Sequence, residues 1–213
     1  MAKWLRIISL RKEFIAVECL MHEGQDHLQS APKIIAQSVP EIPTELPHPK
    51  AIDDLPLLGA IVMETLRLHS PIPGIQPQIT PAPFTTLAGY DKIPRKTRVN
   101  AQAYSLHRNH DVSPNPGSFL PDRWLKPMDS VELGNMRRWL WAFGSGGRMC
   151  VRSNLALQAR ITLFLPQSEI KLVVAAIYSN FTSKIIDDDG IEPIDAYTVR
   201  PSNNRLVLKF ERV

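Results

Sequence analysis

Cysteine is nearly absent: the 213 residues hold two, Cys19 and Cys150. That excludes a dense disulfide framework and fits a reducing compartment; one Cys19–Cys150 bridge is the most that can form. Glycine is scarce beside proline, 10 against 19. Proline breaks helices and central strands, so long irregular connections are expected. A long uncharged apolar run is also missing. The longest, near Leu172 to Tyr178, falls far short of the roughly 20 residues that a spanning helix needs. Met1 to Leu10 places Lys3 and Arg6 among short apolar pieces and makes a poor secretory signal. The net charge is only +4 and no basic run occurs, so there is no electrostatic footprint for nucleic acid. These absences predict no membrane span, no anchor and a cytoplasmic location for the chain as written.

What remains is ordinary globular material, 44 % hydrophobic and long enough for one domain with a real core. Arg11 to Met21 is compatible with a helix. Ser30 to Lys50 holds Pro32, Pro40, Pro43, Pro47 and Pro49 and reads as a linker or surface loop. Asp53-Asp54 offers an N-cap for a helix from about Leu55, with Pro56 in its first turn. Leu58, Ile61, Val62 and Leu66 recur at helical spacing until Pro71 and Pro73 end the run. Between Gln76 and Ala103, the stretches Thr85 to Leu87, Gly89-Tyr90 and Thr97 to Ala101 suggest short strands around turns. Asn109 to Arg123 lacks periodicity and is expected to be ordered only if something holds it. Trp139 to Gly147 is an aromatic stretch entering a glycine cluster. A helix is expected from about Ser153, interrupted by Pro166, with a second helical run from Glu169 to Tyr178. Asp187 to Gly190 reads as a turn, and Leu206 to Leu208 with Phe210 as a final strand.

Three groups of residues bear on chemistry. Glu64 and Arg67 lie three apart on one helix face, within ion-pair reach; such pairs are most often solvated and worth a few tenths of a kcal/mol. Pro121-Asp122-Arg123-Trp124 places an arginine in the irregular stretch. Phe143-Gly144-Ser145-Gly146-Gly147-Arg148-Met149-Cys150 puts one cysteine after a glycine-rich turn and before a helix. Glycines let backbone approach a bulky flat ligand. Backbone N–H groups and a helix's positive end favour a thiolate, the donor that an electron-releasing haem ligand requires. The ordinary alternative for a lone cysteine, a small buried hydrophobe, stays open at this point. The run does not match a dinucleotide-binding loop, a phosphate loop or a nucleophile elbow. Cys19 and His22 form one possible zinc pair without a second.

Together the three groups resemble one family. Glu64-Thr65-Leu66-Arg67 is similar to the E-x-x-R helix of the cytochromes P-450, Pro121 to Trp124 to the P-x-R-x segment of their meander, and Phe143 to Cys150 to the F-x-x-G-x-R-x-C haem loop. The wording is nearest to fungal microsomal members. The resemblance runs from about Ala51 to Val213, with 1–50 as an unmatched N-terminal segment. It implies a mainly α fold with small β-sheets (α+β), the carboxy-terminal part of a truncated cytochrome P-450. It implies thiolate-ligated haem b with Cys150 as the axial ligand to iron, Arg148 meeting a propionate, and Phe143 beside the sulfur. Gly144 and Gly146 would shape the loop around the cofactor. Glu64, Arg67 and Arg123 would form a structural triad of buried ion pairs, and no residue is assigned a catalytic role. The parent reaction is insertion of one oxygen atom from O₂ into a small organic substrate, with electrons from an NADPH-dependent flavoprotein reductase at the endoplasmic reticulum membrane.

Full-length members of the family are roughly twice as long, and the substrate pocket and oxygen-activating distal helix expected before Ala51 find no match in Met1 to Lys50, which predicts a truncated form. Three further departures predict impairment. Arg152 stands where the family has glycine, Gln78 stands where a propionate-binding arginine is expected, and residues 159–168, with Pro166, read as an insertion in one long helix. A non-catalytic haem-binding or haem-free fragment, or an unrelated structural domain, are the competing readings.

Overall fold

The computed structural model describes residues 55–81, 83–146, 168–178, 180–194, 199–203 and 206–212. The helix expected at Arg11 to Met21, the proline-rich linker, the helix from Ser153 and the Pro166 interruption lie outside them.

Helix α1, Pro56–Leu68, is the centre of the described structure. Leu55, not either aspartate of Asp53-Asp54, takes the N-cap position, and it makes no side-chain cap bond. The reason is Pro56. A proline drives the residue before it into extended backbone, and proline itself fits the first helical position, where an N–H is not needed. The helix ends with the His69 N–H donating to the Thr65 carbonyl at 2.7 Å.

A stretch of short antiparallel pairs follows. Strand β1, Ile75–Ile79, pairs with β4, Arg98–Gln102, in the register Ile75 to Gln102. Between them β2, Phe84–Leu87, and β3, Tyr90–Pro94, form a hairpin. Its two-residue connection, Ala88 (φ 52°) and Gly89 (φ 82°), has the left-handed backbone that matches strand twist. The β1 strand was not foreseen as a separate element; Pro77 inside it removes a ladder donor and hides the signal. Strand β4 runs directly into a short helix α2, Ala103–His107.

Pro121–Trp124 forms a single 3₁₀ turn. Helix α3, Val131–Trp139, was also not foreseen. Only Leu133 and Met136 on it are buried, too few for an apolar stripe. Its ends explain it instead. The Ser130 hydroxyl accepts from the Leu133 N–H at 3.3 Å, Glu132 lies in the first turn, and Arg137 and Arg138 lie in the last.

Helix α4, Ser168–Tyr178, contains the helical run expected from Glu169 to Tyr178. It leads into β5, Phe181–Asp187, which pairs with β8, Val207–Arg212. A second small pair joins β6, Pro193–Ile194, to β7, Arg200–Pro201. The turn expected at Asp187 to Gly190 is there, with Gly190 at φ 73°. Helices with small antiparallel sheets make this an α+β fold. Among the described residues no helix is long and apolar enough to cross a membrane.

Three apolar contacts wrap α1. Leu55, Leu58 and Ile61 pack on Val174, Ala175 and Tyr178 of α4 and Leu208 of β8. Ala60 packs with Trp124, Leu133 and Met136. Leu66 packs with Ala142, backed by Phe143. A helix buried on nearly every side needs exact volumes, and Ile61 is fully enclosed. Ile61→Val should cost roughly 0.5–1.5 kcal/mol in urea unfolding. No measurable loss would mean that the contact between α1 and α4 is loose.

Candidate functional site

Helix α1 buries charge as well as carbon. Glu64 is fully buried and Arg67 is 2 % exposed, so this is not the solvated pair that their spacing most often signals. Arg67 Nε donates to Glu64 Oε2 at 2.9 Å and Nη2 donates to Oε1 at 2.8 Å, a two-pronged contact. Arg123 reaches in from the 3₁₀ turn, its Nε donating to Glu64 Oε1 at 3.0 Å. The Trp124 indole N–H donates to Oε2 at 2.8 Å and the Leu120 backbone N–H to Oε1 at 2.9 Å. One carboxylate therefore accepts from two guanidinium groups, an indole and a peptide. Burial pushes its pKa up, but the hydrogen bond and charge of Arg67, helped by Leu120 and Trp124, overcome this and hold it below the ordinary value.

The guanidinium N–H groups not used on Glu64 go to loop carbonyls. Arg67 Nη1 donates to His107 O at 3.0 Å and Pro116 O at 2.8 Å, and Nη2 to Ser118 O at 3.2 Å. Arg123 Nη1 donates to Pro114 O at 2.9 Å. This is what holds the aperiodic Asn109 to Arg123 stretch. Its order comes from two arginines bonding its backbone oxygens, and such bonds leave no periodic trace in sequence.

His107 and Gln76 were not singled out by sequence reasoning. His107 is buried, with Nδ1 2.9 Å from Arg67 O and Nε2 2.8 Å from Trp141 N. The Trp141 N–H must donate, so Nε2 is the unprotonated nitrogen and Nδ1 carries the proton. Gln76 Nε2 donates to Trp141 O at 3.1 Å. Single polar residues on a five-residue helix and a five-residue strand give no pattern to read; only the aromatic stretch that they grip was visible.

Burial pushes His107 from its ordinary 6.5 down to about 4, aided by the charges of Arg67 and Arg108 and opposed by its bond to the Arg67 carbonyl. A depressed histidine is neutral in the fold and protonates more readily once unfolded. Its contribution to stability is therefore whole above pH 6.5 and is lost as pH falls from 6.5 to about 4. The loss should reach roughly 3 kcal/mol. His107→Gln should flatten this limb of the stability–pH curve measured by urea unfolding. An unchanged limb would show that another group titrates there.

The loop that follows departs from Trp141. Phe143 packs on the Leu66–Ala142 contact. Gly144 (φ 80°) and Gly146 (φ 72°) are both in the left-handed region. A Cβ added at Gly146 would meet nothing within 4 Å. At Gly146 the loop thus presents bare backbone to open space, an arrangement that fits close approach of a broad flat group. Cys150 and Arg148 lie outside the described residues, as do Arg152 and residues 159–167. Gln78 sits half-buried in β1, opposite Val99.

The cytochrome P450 family matches residues 28–208 of the chain. Cytochrome P450 monooxygenase orf2 of Aspergillus niger is 37 % identical over 136 residues, covering 62 % of this chain and 26 % of that protein. Cytochrome P450 monooxygenase BOT1 of Botryotinia fuckeliana is 38 % identical over 107 residues, covering 50 % of this chain and 20 % of that protein. Among solved structures, the retinoic acid-bound cyanobacterial CYP120A1 aligns with a TM-score of 0.71 at 21 % identity, over 95 % of this chain and 43 % of that one. That likeness is one of fold. The chain spans about a quarter of the length of the curated relatives it matches.

Proposed function

The chain belongs to the cytochrome P450 family, and on that premise we propose that it supplies the cysteine-ligand side of a haem-thiolate monooxygenase, with Cys150 bound to iron. The observation that carries the proposal is the left-handed backbone at Gly144 and Gly146, open to space at Gly146, in a chain that also holds the buried Glu64–Arg67–Arg123 cluster. In this reading the three charged residues act by geometry. Burying charges returns little net stability, but a carboxylate with five donors has one arrangement, and it fixes the 109–123 stretch on α1. Phe143 would cover the apolar side of the loop, and Arg148 would pair with a carboxylate of the cofactor. The haem, when bound, supplies the oxygen chemistry; the protein supplies the ligand, burial and charge. The substrate class is a small organic molecule, and electrons come from NADPH through a flavoprotein reductase.

The same reading makes this polypeptide, on its own, an impaired catalyst. Arg152 puts a Cβ and a long charged chain where the resemblance calls for glycine two residues beyond the ligand. Pro166 falls within the expected helix, and an interior proline costs ~3 kcal/mol. The test is to titrate the purified chain with haem and record its reduced, CO-bound spectrum. A reductase, NADPH and a panel of substrates are then added. The expected result is a Soret band at the red-shifted thiolate position without substrate-dependent product. Failure to take up haem would overturn the cofactor assignment, and product formation would overturn the impairment.

A further inference from the structure

We infer that Gln76 and His107 form a two-sided clamp on the backbone of Trp141 that fixes where the cysteine-bearing loop begins. Both polar atoms of that residue's backbone are taken by side chains from distant elements. The N–H donates to His107 Nε2 at 2.8 Å, and the carbonyl accepts from Gln76 Nε2 at 3.1 Å. The carbonyl also accepts from the Gly144 N–H at 3.0 Å, closing the first turn of the loop. The N–H and the carbonyl of one residue belong to successive peptide groups, so both peptides that flank the Trp141 Cα are held, and the path of the chain beyond them starts from a set position and direction.

The two jaws belong to one body. Gln76 is on β1, which pairs with β4, and β4 continues into α2, which ends at His107. The Tyr104 N–H donates to the Pro73 carbonyl at 2.9 Å, a further tie between these segments. That body is fastened to α1, because the Nδ1–H of His107 donates to Arg67 O at 2.9 Å while Arg67 Nη1 returns a bond to His107 O at 3.0 Å. The imidazole is thus a rigid link between the backbone of the charged cluster and the backbone of the loop entrance. Only a neutral imidazole, with one donor and one acceptor on opposite sides, makes both bonds at once. Both residues are positioning residues: Cys150 lies nine positions beyond the residue that they hold.

Three substitutions separate the jaws' bonds. His107→Asn keeps an amide near the Nδ1 place, able to donate to Arg67 O, and loses the reach to Trp141. His107→Gln keeps an acceptor that can reach the Trp141 N–H. Gln76→Leu removes the other jaw at a half-buried site. The readout is amide hydrogen exchange in the haem-free chain, comparing Trp141 and Gly144 with Leu66 in α1. In His107→Asn the Trp141 amide should exchange faster by roughly tenfold while Leu66 is unchanged, and His107→Gln should restore protection. Gln76→Leu should speed Trp141 and Gly144 together. A general loosening that accelerates Leu66 as much as Trp141, or equal behaviour of the Asn and Gln variants, would reduce His107 to a packing residue and sink the clamp. Should His107→Asn not fold, unchanged exchange in Gln76→Leu is the overturning result.

A second arm rests on the proposed role of Cys150. In the haem-loaded chain the thiolate-type share of the CO spectrum should fall in His107→Asn and Gln76→Leu and recover in His107→Gln. Absence of haem uptake by the unaltered chain would fail the cofactor reading alone, leaving the exchange data to decide the clamp.

Discussion

Glu64→Ala should destabilise the chain by roughly 3–5 kcal/mol, measured by urea unfolding at neutral pH. The size of the effect comes from what is left behind. Glu64 accepts from Arg67, Arg123, Trp124 and the Leu120 peptide, and none of its side chain reaches solvent. With the carboxylate gone, two buried guanidinium groups face each other without a counter-charge, and an indole and a peptide N–H lose their acceptor. Each orphaned neutral donor costs about 1–3 kcal/mol and a charged one more. Whole domains are stable by only about 5–15 kcal/mol, so the variant should sit near its unfolding threshold. Glu64→Gln should fare little better, because its amide N–H₂ points donors at donors. A loss under about 1 kcal/mol for Glu64→Ala would mean that water enters the cluster and relieves it. The wild-type carboxyl, held below its ordinary value, contributes fully above the carboxylate range and loses that contribution as pH falls through its lowered value. Glu64 and His107 therefore both weaken the fold on the acid side.

How much of this was legible in the sequence depended on the kind of force at work. Helix α1 showed because carbon burial has a period: Leu58, Ile61, Val62 and Leu66 mark it. The Glu64 and Arg67 spacing put both on one face, but spacing cannot say whether that face meets water. Their burial depends on Arg123 and Trp124, more than fifty residues away in sequence. Strand β5 escaped notice because its exposure alternates with few buried positions, Ser183 among them, and serine is a weak strand signal. The Ser183 hydroxyl lies 2.7 Å from the Tyr178 hydroxyl, a polar contact inside the core that hydropathy cannot anticipate. The N-cap was misplaced because proline's effect on its neighbour outweighed the capping preference of aspartate. The loop entrance was the least visible part. His107 and Gln76 bond to backbone, and backbone is the same at every position.

Cys150→Ser should abolish every thiolate-type haem spectrum of the chain, while Cys19→Ser leaves it intact. The two residues are the only cysteines in the sequence, so the comparison is complete. Serine is close to cysteine in size, and its hydroxyl keeps its proton at neutral pH, so it offers iron no anionic sulfur and only a poor oxygen donor. The substitution removes the proposed ligand with little change of volume. Glycine and loop geometry are untouched, which separates loss of ligation from loss of the fold; urea unfolding of the haem-free variant should match the unaltered chain within about 0.5 kcal/mol. A histidine taking over the iron would give haem uptake with an imidazole-type band. His107 cannot do so without breaking its bonds to Arg67 and Trp141, since both ring nitrogens are engaged. Arg148, in its proposed role, gives a graded control, because a guanidinium on a cofactor carboxylate contributes affinity and not ligation. Arg148→Ala should weaken haem uptake while the band that remains keeps its thiolate position. Equal loss of the thiolate band in Cys150→Ser and Cys19→Ser, or its survival in Cys150→Ser, would remove Cys150 from the iron.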